Sequence, residues 1–210
     1  MISSLSALDR LKQGNRRFVT GKDIREISFE HSQSRQSPSE QRPFAIVLGC
    51  SDSRVPAELV FNQGLGDLFV IRVAGNIVRP SQIGSVEYAA ETFGTKLVVV
   101  LGHSLCGAVL ATLNQLQQPS GSRSPNFRPI VDFIRPSVES CLASGHREPG
   151  TAFPDELLQA AVRANIRASV DRLKQGSEIL EKMIKDERLL VVGAEYSVET
   201  GVVEFLVEET

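Results

Sequence analysis

The sequence predicts an α/β fold: a mostly parallel β-sheet flanked by helices, with an antiparallel C-terminal hairpin strand and an N-terminal helical arm. Three observations carry this. Short, continuous apolar runs recur at residues 44–49 (FAIVLG), 68–73 (LFVIRV), 97–101 (LVVVL) and 189–192 (LLVV), as expected of strands buried on both faces. Helical patterns separate them, which makes βαβ units. A Glu-Thr-Gly turn at 199–201 precedes a fifth run at 202–207 (VVEFLV), the pattern of a hairpin and so of an antiparallel last strand.

Taken in order, residues 4–18 read as an amphipathic helix. Leu8, Leu11 and Phe18 share a face that Leu5 extends, while Arg10, Lys12, Arg16 and Arg17 cover the rest. A polar stretch, 21–42, separates this helix from the first strand. The helix is either an arm on a partner subunit or a cover for its own core, and the pattern does not choose. Gly64-Leu65-Gly66 precedes a strand, whereas a dinucleotide-binding glycine loop follows one, so it reads as a turn. Helical patterns follow at 84–93, 106–116, 130–143, 154–174 and 177–185, and Pro136 is expected to break or kink the third. Residues 119–129 (PSGSRSPNFRP) form a polar, turn-rich loop, and Pro154 suits the first turn of the next helix. No repeat and no internal boundary appears, so 1–210 is expected to be one domain, with 1–42 its arm and linker.

Hydrophobic residues make up 41% of the 210 and charged residues 23%, with a net charge of -2. The chain is long enough for a core without disulfides, and its charge offers no attraction to nucleic acid or an anionic membrane. No run reaches the roughly 18 apolar residues of a membrane span. The start, MISSLSALDR, lacks the basic and apolar regions of a signal peptide. Three cysteines, Cys50, Cys106 and Cys141, argue against a disulfide framework and for a reducing, cytoplasmic setting.

Reactive residues cluster where strands end. Cys50-Ser51-Asp52-Ser53-Arg54 follows the 44–49 run, and Gly102-His103-Ser104-Leu105-Cys106-Gly107 follows the 97–101 run. Open parallel sheets bind ligands beyond the carboxyl ends of their strands, where the strand order reverses. If these two strands are neighbours, Cys50, His103 and Cys106 meet with Asp52 and Arg54 beside them. Two thiolates and an imidazole suit zinc, and a three-residue set with an open fourth position is a catalytic arrangement. Calcium and magnesium prefer oxygen ligands. Cys141 reads as a packing residue, and His31 and His146 as solvated.

These two motifs together resemble the β-class carbonic anhydrases, in detail from about Gln41 to Leu110 and loosely to Gly193-Ala194-Glu195-Tyr196. The resemblance implies reversible hydration of carbon dioxide to bicarbonate and a proton by zinc-bound hydroxide, with one Zn2+ per subunit in a homodimer or an assembly of dimers. It implies Cys50, His103 and Cys106 as zinc ligands, Asp52 and Arg54 as a catalytic dyad, and a Gly107 N–H for the substrate. Gln41, as in the plant-like branch, would bond substrate across the dimer interface, and Phe69 and Tyr88 would supply a wall from the partner. Ala74 stands where some members have Val, which widens the pocket. Val47 stands where the branch with an inhibitory bicarbonate pocket has Trp, so that pocket is expected to be absent. Arg72 matches one of its residues, with a strand-end salt bridge as the plainer reading.

Asp52 is expected to aim the nucleophile and Arg54 to clamp Asp52; if the pair breaks, Asp52 can become the fourth ligand, an acid off-switch. Two thiolates make zinc a weaker Lewis acid than three histidines do, so activity is expected to rise with pH. No shuttle histidine is assigned. Two other readings remain: hydrolysis of carbonyl sulfide or carbon disulfide on the same scaffold, and a non-catalytic zinc-stabilised module with four protein ligands.

Overall fold

The computed structural model describes residues 2–22, 41–117, 124–142 and 152–206. His31, His146 and Val207 lie outside the described residues, as do most of the 21–42 stretch and the first part of the 119–129 loop. The chain runs α1 (Ser4–Thr20), β1 (Ala45–Gly49), α2 (Ala57–Val60), β2 (Leu68–Arg72), α3 (Pro80–Thr92), β3 (Leu97–His103), α4 (Gly107–Gln117), α5 (Arg128–Leu142), α6 (Asp155–Gln175), α7 (Glu178–Lys185), β4 (Leu190–Tyr196) and β5 (Val203–Leu206). The strands form one sheet in the order β2-β1-β3-β4-β5. β1 pairs in parallel with β2 and β3, β3 pairs in parallel with β4, and β4 and β5 are antiparallel.

Alternation along the strands divides the core in two. Ile46, Leu48, Val98, Val100 and Val191 face the side covered by α3 to α7. Ala45, Val47, Leu97, Val99 and Leu101 face α1 and α2. All five residues of β1 and all seven of β3 are buried, which explains their unbroken apolar runs in sequence. β3 continues past its apolar run because Gly102 and His103 still pair with Glu195 and Tyr196. β4 extends for the same reason. α3 begins at Pro80, ahead of its apolar pattern, because proline at the first helical position needs no N–H.

Two expectations are corrected. α1 packs on its own sheet through Ala7, Leu8, Leu11, Gly14 and Asn15, not through Leu5 and Phe18, which are 69% and 36% exposed. Leu5 lies roughly 120° around the helix from Leu11, and Phe18 lies beyond the sheet, against the Gly201 turn. Gly14 and Asn15, which an apolar pattern does not count, set the true face. Gly14 lets the helix touch the chain after α2, since a Cβ there would sit 1.8 Å from the Phe61 carbonyl oxygen. The Asn15 amide donates to the Val60 and Gly201 carbonyls, and its oxygen accepts from the Val203 N–H.

The second correction is α5, which Pro136 does not break. Pro136 lies on the exposed face, while Val131, Ile134 and Val138 anchor the buried one. Gly64–Asp67 is a turn, closed by the Asp67 N–H on the Gly64 carbonyl. Cys141 is partly buried against the main core. Among the described residues, no helix is long and apolar enough to cross a membrane.

Candidate metal centre

β1 leads to β2 on one side of it, and β3 then pairs on its other side. Their carboxyl ends therefore open a crevice at the point where the order reverses. In register, Gly49 is level with Leu101, so Cys50 follows β1 level with Gly102, one residue from His103 at the end of β3. Arg72, at the end of β2, fixes the loop after β1. Its Nε donates to the Cys50 carbonyl at 3.0 Å and its Nη2 to the Asp52 carbonyl at 2.6 Å. It thus engages backbone oxygens and not, as the sequence suggested, a strand-end carboxylate.

The sulfurs of Cys50 and Cys106 and a ring nitrogen of His103 all lie within 4.8 Å of one another, and all three residues are buried. His103 Nδ1 donates to the Ser104 carbonyl at 2.9 Å. That carbonyl can only accept, so Nδ1 carries the proton and Nε2 presents a lone pair. Nε2 is buried with no hydrogen-bond partner, an orphan that a metal ion satisfies. Leu105 takes a left-handed φ of 57°, which turns the chain so that Cys106 comes back to His103. Cys106 directly precedes α4.

The two thiols lean on one another. The Cys106 thiol beside Cys50 is the largest cause pulling Cys50 below its ordinary value. The Gly75 and Asp52 backbones act in the same direction, and burial opposes them. Cys106 is pushed up, first by Cys50 and then by burial. Two buried sulfurs beside a bare imidazole nitrogen are a donor set that a thiophilic dication completes. The set fits zinc by number and softness of ligands.

Asp52 flanks the triangle, its Oδ2 3.9 Å from His103 Nε2. Arg54 grips it twice, from Nε to Oδ1 at 2.9 Å and from Nη2 to Oδ2 at 2.8 Å, while the Arg54 N–H adds a third bond at 3.0 Å. The Arg54 guanidinium is the largest cause holding the Asp52 carboxyl well below the usual range. Gly107 is the exposed first residue of α4, where N–H groups have no partner within the helix. Ala74 opens the short 3-10 turn Ala74–Asn76, and next to it the Gly75 N–H donates to Cys50 Sγ at 3.3 Å. The sequence reading did not single out Gly75.

Three expected site residues are elsewhere in this chain. Phe69 is level with Ile46, four residues or about 13 Å along the strand from Cys50. It packs with Tyr88 and Phe93, with ring centroids 6.3 and 6.1 Å away. Tyr88 is 52% exposed. Gln41 is exposed and precedes β1, at the end of the sheet opposite Cys50.

Residues 45–203 match the carbonic anhydrase family. The chain is 36% identical over 201 residues to carbonic anhydrase 2 of Mycobacterium tuberculosis, covering 94% of this chain and 90% of that protein. It is 37% identical over 204 residues to the carbonic anhydrase of Mycolicibacterium smegmatis, covering 95% and 92%. Among solved structures it resembles the β-carbonic anhydrase CcaA with a TM-score of 0.66 and 26% identity, covering 98% of this chain and 93% of that one. A match over most of the chain, on a fold that joins Cys50, His103 and Cys106 at one crevice, places this protein in the β-class carbonic anhydrase family.

Proposed function

We propose that this chain catalyses the reversible hydration of carbon dioxide to bicarbonate and a proton, with one zinc ion per subunit held by Cys50, His103 and Cys106. The observation that carries this reading is the buried Cys–His–Cys triangle with an orphaned imidazole nitrogen beside an arginine-locked carboxylate. Zinc in that position supplies the Lewis acidity that makes water a nucleophile near neutral pH. Asp52, kept ionised and aimed by Arg54, is the acceptor that orients the reacting oxygen, a positioning contribution. The exposed Gly107 N–H donates to a bicarbonate oxygen. Val73 and Ala74 give the uncharged gas an apolar surface.

Gln41, Phe69 and Tyr88 serve the site of a second copy of the chain. What supports this is their distance from the chain's own triangle, together with the exposure of Tyr88, Leu5 and Phe18. The protein is therefore a homodimer, or an assembly of dimers, that works in a reducing compartment such as the cytoplasm; its described cysteines are all unpaired.

Stopped-flow assays of the zinc-loaded protein with carbon dioxide and with carbonyl sulfide test the reading. Turnover of carbon dioxide is expected. Turnover of carbonyl sulfide alone, or of neither gas, overturns it.

A further inference from the structure

α6 passes behind the metal triangle with an apolar buried face of Leu158, Ala161, Val162, Ile166, Val170 and Leu173. Two polar residues interrupt it. Asn165 is 1% exposed and Ser169 is fully buried. Asn165 Nδ2 donates to the Gly75 carbonyl at 2.8 Å, and Ser169 Oγ, one turn on, donates to the Asn76 carbonyl at 3.1 Å. Both carbonyls belong to the 3-10 turn whose Gly75 N–H meets the Cys50 sulfur.

That turn is closed by the Asn76 N–H on the Val73 carbonyl, but its backbone is strained. Gly75 and Asn76 have φ of 71° and 44°, two successive left-handed residues that a chain does not favour unaided. Packing also confines it: a Cβ at Gly75 would lie 2.8 Å from Ile134 Cδ1. The two donors of α6 grip the peptide units that directly follow the amide aimed at sulfur. Buried polar groups in an apolar face are satisfied by hydrogen bonds, and here both bonds end on a turn that touches a candidate metal ligand.

We propose that Asn165, seconded by Ser169, is a positioning residue for the metal centre: it fixes the turn so that the Gly75 N–H stays on the Cys50 sulfur. This rests on the reading that Cys50, His103 and Cys106 hold the metal. An N–H donor lowers the electron density that a thiolate gives its metal, and outer partners of this kind change metal affinity by about 10- to 100-fold.

The test compares cobalt(II)-loaded wild type, Asn165→Ala and Ser169→Ala by absorption spectroscopy and by the rate of metal release to a chelator. In Asn165→Ala the thiolate-to-cobalt charge-transfer band is expected to move to lower energy, and release to quicken about 10-fold. Ser169→Ala is expected to move both the same way by less. A folded Asn165→Ala whose band and release rate equal wild type, even with a lowered melting temperature, assigns Asn165 to packing and overturns the proposal. Ser169→Ala loses a single hydroxyl, so it decides the matter if Asn165→Ala fails to fold: an unmoved band overturns the proposal. Absence of a thiolate band in wild type would sink the metal-site reading itself, whereas a wild-type band that the variants leave unmoved sinks this inference alone.

Discussion

Asp52 is used by two arginines in different ways: Arg54 takes its carboxylate and Arg72 its backbone carbonyl. Arg54 is about half exposed on its side chain, and exposed pairs contribute little to stability. On the proposed reading its value is in aiming Asp52. Arg54→Ala is expected to leave the melting temperature near wild type while lowering kcat for carbon dioxide hydration. Asp52→Asn keeps the shape, loses the acceptor charge and is expected to retain zinc by metal analysis while losing about 100-fold in kcat. Because Arg54 holds the Asp52 pKa below its unfolded value, the pair's contribution is fully present above the usual carboxylate pKa of about 4 and is lost as pH falls through the folded value. The Asp52 carboxyl carbon followed by NMR is expected not to titrate between pH 7 and about 4; titration inside that window would contradict the clamp.

α1 shows how an element can be legible in kind and misread in detail. Its helical period is plain in sequence, and the structure caps the helix with Ser3 and Gly21. Its buried face is not, because Gly14 and Asn15 define it through a backbone approach and a set of amide bonds that no hydrophobicity pattern records. Gly14→Ala is expected to cost about 1–3 kcal/mol in urea denaturation, since the new methyl meets a carbonyl oxygen fixed by α2. A cost near zero would mean that α1 packs loosely. The loops after β1 and β3 are the opposite case. Cys50, Asp52, Arg54, His103 and Cys106 could be read because their residue types and their place at strand ends point the same way. Arg72, Gly75 and Asn165 could not, since they act through backbone carbonyls and amides whose positions exist only in the fold.

At the scale of the molecule, strand order is what assembles the chemistry. Cys50 and His103 are far apart in sequence, and they become neighbours only because β1 lies between β2 and β3. The expectation that these strands pair was the hinge of the sequence reading, and the register of Gly49 with Leu101 bears it out. A metal ion held by the two loops would tie β1 to β3 and α4, favouring the folded state over the unfolded chain. The chelated protein is thus expected to melt at lower temperature than the zinc-loaded protein.

The most direct test of the account is stopped-flow carbon dioxide hydration as zinc is added back to the chelated protein. Activity is expected to rise in proportion to zinc, to level off at one equivalent per chain, and to be lost in Cys106→Ala. Full activity without zinc, or zinc bound at one equivalent with no hydration, would contradict it.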